Sequence, residues 1–148
     1  GTSTIENQYE YADIVFSGTV IEKEEFWLLD SSMFEIFGFA EDSIINKNKR
    51  MYGRYFYKYY FKSDFIYKGK SKSDTIIIST GFGSGDCGYK FKLDQKYIVY
   101  ANYKSYSGDF HGRTYSNGNK ICWTDICLRT QLYDIKEIEN INKIKNGN

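Results

Sequence analysis

Four side chains in this sequence are of the types that ligate zinc: Cys87, Cys122, Cys127 and the lone histidine, His111. A Cys3His set is sufficient in number for a structural site, but such sites use short knuckle spacings. Here neither a Cys-x2-Cys pair nor a second histidine occurs, so no metal and no other cofactor is expected. The same residues allow a second chemistry, in which His111 acts as base for a cysteine nucleophile. His111 lies in Gly108-Asp109-Phe110-His111-Gly112, which reads as an exposed polar loop with no identifiable third residue to orient the imidazole. Glu22, Glu24 and Glu25 read as solvated strand-end positions rather than a working carboxylate pair. No catalytic site is expected, and the chain reads as a non-enzyme.

The densest local signal is Gly81-Phe82-Gly83-Ser84-Gly85-Asp86-Cys87-Gly88-Tyr89, directly behind the β-branched run Thr75 to Thr80. Gly83-x-Gly85-x-x-Gly88 matches the dinucleotide fingerprint, which needs a helix to open at its end so that backbone N–H groups can meet a pyrophosphate. The residues after Gly88 are Tyr89-Lys90-Phe91-Lys92-Leu93-Asp94, an apolar/charged alternation that reads as strand and turn. The expectation is therefore a cysteine-anchored loop between two strands. If the chain ran straight from Cys122 to Cys127, it would span about 16 Å, too far for a mutual bridge. A disulfide would instead join Cys87 to one of them.

A third chemistry is stacking. Arg54 to Lys62 interleaves aromatic and basic residues, the composition with which some small barrels hold single-stranded bases over a cationic groove. Packing one strand face with large side chains explains the same pattern. The net charge of +1 lacks the electrostatic footprint of a nucleic-acid partner. Binding of nucleic acid or a glycan by this face stands as a further alternative, with no nucleic acid expected.

The elements that must position these residues are mostly strands. Tyrosine, phenylalanine and isoleucine abound and proline is absent, which favours pleated, half-buried surfaces. Asp13 to Glu25 alternates, with Ile14, Phe16, Gly18 and Val20 on one face, and Gly18 marks a bend or bulge. Residues 26–51 break the pattern as a partly helical insertion, with a capping-box signature at Ser32-x-x-Glu35 and Gly38 as a stop. Its aromatic content, Trp27 and Phe34 foremost, either covers a barrel end or presents a contact surface. Arg54 to Ile66, Thr75 to Thr80 as a buried strand, Tyr97 to Tyr103 and Lys120 to Thr124 complete five strand signals. A short helix over Glu6 to Tyr11 precedes them. The spacing of Ile135, Ile138, Ile141 and Ile144 predicts a C-terminal helix over about 132–146, closed by Asn146-Gly147. The whole reads as one all-β domain of 148 residues with short helices: an OB-fold, the five-stranded antiparallel Greek-key barrel.

Gly1-Thr2-Ser3-Thr4 has neither the basic nor the apolar region of a signal peptide, and no run reaches transmembrane length. The odd number of cysteines, three, suggests a free thiol or a partner outside the sequence, and hence a trimmed N-terminus. No Asn-x-Ser/Thr acceptor occurs.

Five motifs in order sharpen this reading: Tyr11-Ala12-Asp13-Ile14-Val15-Phe16-Ser17-Gly18-Thr19-Val20, Phe65-Ile66-Tyr67-Lys68-Gly69, Gly85-Asp86-Cys87-Gly88-Tyr89, Lys96-Tyr97-Ile98-Val99-Tyr100-Ala101 and Cys127-Leu128-Arg129-Thr130. Together they resemble the tissue inhibitor of metalloproteinases (TIMP)-like domain, one of the netrin-like modules, especially its bacterial versions, over roughly residues 11–132. The resemblance implies an OB-fold and an extracellular or cell-surface setting, with a lipid anchor upstream as a possible membrane attachment. It also implies that Cys87 and Cys127 pair with an N-terminal Cys-x-Cys segment, whose first cysteine chelates the protease zinc in the family's inhibitors. Ser84, Gly85 and Asp86 would lie on the same binding ridge. Gly1-Thr2-Ser3 stands where that segment belongs, and Cys122 has no counterpart in the pattern. The expectation is a secreted or surface protein-binding module that contacts its partner through Ser84, Gly85, Asp86, Trp27 and Phe34. The alternative is a metalloproteinase inhibitor whose chelating cysteine lies upstream of Gly1.

Overall fold

A computed structural model of the chain describes residues 4–30, 33–83, 86–105, 109–110, 113–114 and 120–147. After a short helix α1 (Ile5–Tyr11), strand β1 (Ile14–Leu29) runs to helices α2 (Met33–Phe37), α3 (Asp42–Lys47) and α4 (Lys49–Tyr52). Strands β2 (Gly53–Lys68), β3 (Thr75–Thr80) and β4 (Lys96–Ser105) come next. A small hairpin of β5 (Asp109–Phe110) and β6 (Arg113–Thr114) leads to β7 (Lys120–Trp123), β8 (Gln131–Leu132) and helix α5 (Ile135–Asn146).

The six longer-range strands form one mixed sheet in the order β1-β2-β3-β7-β4-β8, and β4 also pairs with β1. Hydrogen-bonded neighbours therefore lead from β1 through β2, β3, β7 and β4 back to β1. Two features correct the expectation of five antiparallel strands. β3 and β7 run parallel, joined at Ser79 opposite Trp123, and β8 adds a sixth strand beside Tyr97 and Ile98 of β4. Residues 26–29 also belong to β1 rather than to the insertion, because the β1–β2 pairing continues to Leu29 opposite Gly53.

Gly18 carries the expected irregularity. The β1–β2 register slips between Ser17 and Gly18, and a Cβ at Gly18 would stand 2.7 Å from the Lys62 carbonyl oxygen. Period-two alternation then sorts the side chains. Ile14, Phe16, Val20, Tyr59, Phe61 and Ile78 fill the main core. Val15 points the other way and is equally buried, because α1 and α5 cover the outer surface with Ile138 and Ile141 against Ile98 and Tyr100. Thr75 to Thr80 is buried as expected at Ile76, Ile78, Ser79 and Thr80, while Ile77 faces solvent.

Capping fixes the helix ends. The Thr4 hydroxyl accepts from the Asn7 N–H at 3.1 Å and the Asp134 carboxylate from the Lys136 N–H at 2.9 Å, each supplying an acceptor for an otherwise unpaired donor. Gly38, at φ 82°, comes directly after α2, with its N–H donated to the Phe34 carbonyl. The Gly147 N–H closes α5 on Lys143. Ser32 of the capping-box signature lies outside the described residues, and Leu132 sits in β8 rather than in the helix.

Candidate functional site

The glycine loop is organised by one carboxylate. Asp86 accepts from the Phe82 N–H (2.7 Å), the Gly83 N–H (2.7 Å) and the Gly88 N–H (3.1 Å). Burial works against its charge, yet the three backbone donors outweigh burial and hold the carboxyl below the ordinary aspartate value. Glycine is required at two places for reasons other than phosphate. Gly83 has φ 82°, and a Cβ at Gly88 would run into the carbonyl of Gly81, which the loop brings back against it. No helix opens at Gly88. Residues 88–92 form neither helix nor strand and are held instead by side chains, the Tyr89 N–H donating to the Thr80 hydroxyl and the Lys92 N–H to the Tyr97 hydroxyl. The loop's backbone N–H groups thus converge on its own aspartate. Ser84 and Gly85, the other two expected ridge residues, lie outside the described residues.

The insertion holds its own small core. Met33, Ala40, Ile45 and Tyr52 are buried with Trp27, Leu29 and Phe34 packed against them. Trp27 donates its indole N–H to the Lys49 carbonyl at 2.8 Å, and Gly53 leaves room for the Trp27 ring, which a Cβ there would strike. Trp27 and Phe34, the expected contact residues, are half-buried supports of this core. What they support faces outward: Phe39 is 83% exposed and Ile36 68%, with Phe37, Ile44 and Met51 also exposed. Ile36, Phe37 and Phe39 belong to the apolar set that the sequence offers as cover or contact surface, whereas Ile44 and Met51 do not stand out there, because composition announces many apolar residues but not which of them close inward.

Tyr55 connects the two regions. With Lys47, Lys49, Arg50 and Met51 it lines a hollow of about 420 Å³ on the insertion, and its ring lies 6.1 Å from that of Phe82 in the glycine loop. Phe82 also stacks at 4.4 Å on Tyr57, over which the Lys23 ammonium sits 3.9 Å from the ring centroid. An apolar and cationic surface therefore runs from Lys49, Arg50 and Met51 through Tyr55 to the glycine loop.

The cysteines separate into a pair and a single. Cys87 and Cys127 are exposed on segments joined by the bond from the Ile126 N–H to the Cys87 carbonyl at 2.9 Å, while no two cysteines are at disulfide bonding distance. Cys122, opposite Tyr103 on β4, is partly buried against the main core, and burial pushes its thiol up to about 12. His111 lies outside the described residues, and among those described no three or more His, Cys, Asp or Glu side chains gather to hold a metal ion. No helix among the described residues is long and apolar enough to cross a membrane.

A buried charged cluster was not anticipated. Glu137 of α5, 4% exposed, receives two N–H donors from Arg129 (2.6 and 3.0 Å), the Tyr100 hydroxyl (2.8 Å) and the Gln131 amide (3.0 Å). Burial, and then the bond to Glu137, push the Tyr100 hydroxyl far above its ordinary value. The Arg129 guanidinium is raised by the same carboxylate. Beneath it, the Thr124 and Thr130 hydroxyls both reach the Tyr100 carbonyl. Three donors meet Oε2 of the carboxylate and one meets Oε1, so the cluster acts as a clamp between α5 and β4. The spacing of Arg129 and Glu137 is the signal that could have suggested it, but only with α5 docked.

No protein-family model matches the chain, and no curated protein matches it significantly.

Proposed function

We propose that this chain is a non-enzymatic, protein-binding module of the TIMP-like kind, secreted or displayed at the cell surface, built on a five-stranded OB barrel. The circuit of pairings from β1 through β2, β3, β7 and β4 back to β1 supports the barrel, with β8 as an appendage to β4. The observation that carries the binding reading is the set of apolar side chains that the insertion leaves exposed, Phe39 and Ile36 foremost, beside a hollow at Tyr55 whose ring adjoins Phe82 of the glycine loop. Exposed apolar groups held on a preformed core, with cations at their margin, are the anatomy of a contact patch for another protein. The glycine loop contributes shape, its backbone held by Asp86 at Phe82, Gly83 and Gly88. A metalloproteinase is the partner class that the sequence resemblance favours.

The test is a binding assay against a panel of extracellular metalloproteinase catalytic domains, with inhibition measured in parallel. The expected result is binding that weakens at least tenfold in an Ile36→Asp/Phe39→Asp variant, with little or no inhibition. Tight inhibition by this chain would favour the inhibitor alternative. Binding to no protease in the panel would remove the partner class.

A second reading is favoured by one observation, the Tyr55–Phe82–Tyr57 ring series with Lys23 over Tyr57. Such a platform suits the planar faces of a sugar or a base. Glycan-array or single-stranded DNA binding abolished by Tyr57→Ala, and untouched by Ile36→Asp/Phe39→Asp, would put this reading first.

A further inference from the structure

Two cysteines far apart in sequence are brought together by loops that are each rigidly built. On one side, Asp86 grips the N–H groups of Phe82, Gly83 and Gly88, and Cys87 between them adopts a left-handed conformation at φ 60°. That combination fixes the backbone at Cys87. On the other side, Asp125 Oδ1 accepts from the Cys127 N–H at 2.8 Å and the Leu128 N–H at 3.2 Å, setting the turn that carries Cys127. A backbone bond ties the loops, the Ile126 N–H donating to the Cys87 carbonyl at 2.9 Å. Both cysteines are exposed, and that bond sets Cys127 one residue from the point where its turn meets Cys87.

We propose that Cys87 and Cys127 form a reversible disulfide by exchange with a low-molecular-weight disulfide such as oxidised glutathione, fastening the glycine loop to the 124–130 turn. The Cys87 thiolate attacks one glutathione sulfur, forming a mixed disulfide and expelling one glutathione thiolate. Cys127 then attacks the Cys87 sulfur of that mixed disulfide and expels the second. The protein dithiol is oxidised, one glutathione disulfide is reduced to two glutathione molecules, and these carry off the two protons. The neighbouring Asp125 carboxylate, with Cys87 beside it, raises the Cys127 thiol. Cys122 stands apart: its partly buried thiol, opposite Tyr103, is poorly placed to ionise or to be reached. The inference does not rest on the protein-binding reading, since the bridge forms whatever the loop contacts.

The experiment equilibrates the full chain in glutathione buffers from reducing to oxidising, with acid quench, alkylation and peptide mapping of each sample. In excess oxidised glutathione, free thiols should fall from three to one, with a Cys87–Cys127 peptide and a mass loss of about 2 Da. The oxidised protein should melt roughly 10 °C above the reduced one, because the bridge closes a long loop of the unfolded chain. Cys122→Ser should keep both effects, while Cys127→Ser should lose both and retain at most a glutathione adduct at Cys87. A bridge through Cys122, disulfides only between molecules, a persistent glutathione adduct on the unaltered chain, or three thiols surviving the oxidising buffer would each overturn the proposal. The map of the unaltered chain decides this without any variant.

Discussion

The two ends of this molecule treat polar and apolar groups in opposite ways. Under α5, the Glu137 carboxylate is withdrawn from solvent, and Arg129, Tyr100 and Gln131 supply its hydrogen bonds. At the insertion, apolar rings such as Phe39 are left in solvent above a small core that Trp27 and Tyr52 complete. A buried charge is tolerated only where its partners are fixed, so the α5 end is committed to one arrangement. Exposed apolar side chains contribute almost nothing to the fold they sit on, which leaves the other end free to be used for contact. The glycine loop lies between these extremes: its carboxylate is satisfied by backbone, half in solvent.

The sharpest way to break this contrast is at Glu137. Glu137→Ala leaves Arg129 and Tyr100 without their shared acceptor and should cost about 3–5 kcal/mol in urea unfolding. A loss below about 1 kcal/mol would mean that α5 is held by Ile138 and Ile141 alone.

Asp86→Asn should have a smaller effect, about 1–2 kcal/mol at neutral pH, since three backbone donors lose a charged acceptor. Its pH dependence has a defined sign. The folded-state pKa is depressed, so the stabilisation is present above the unfolded value of about 3.9 and is lost as pH falls through the lower folded value. The gap between wild type and Asp86→Asn, measured by urea unfolding, should therefore narrow at pH values below about 4. A gap that is constant from pH 7 to pH 3 would assign the loop's stability to packing rather than to the carboxylate.

At the tip the expected effect on stability is smallest. Phe39→Asp should shift unfolding by no more than about 0.5 kcal/mol, although its ring lies 5.4 Å from Phe34. A loss of about 2 kcal/mol or more would make Phe39 part of the insertion's core and erase the difference between the two ends.

Local order determined a good part of the fold. The strand spans around Thr75 and Tyr97, the irregularity at Gly18, the helix stop at Gly38 and the closure of α5 at Gly147 arise from period, β-branching and glycine placement. These depend on neighbours within a few residues, and a sequence displays such neighbours directly. The glycine loop was likewise legible as a loop that precedes no helix, because the alternation from Tyr89 to Asp94 is incompatible with the helix that the nucleotide pattern requires.

Tertiary structure alone decided the rest. Val15 alternates with Ile14 and Phe16 yet is just as buried, since α1 and α5 cover the outer surface and periodicity does not name what packs against a face. Trp27 turns inward and Phe39 outward although both belong to one apolar stretch, because the carbonyl of Lys49 and the space at Gly53 are available only once the insertion has folded. β3 and β7 meet in parallel, Glu137 finds Arg129, and the Cys87 carbonyl meets the Ile126 N–H in the turn that carries Cys127. Each of these depends on chain segments brought together by the pairing of strands distant in sequence. A residue's type limits the partners it can take, and the path of the backbone selects among them.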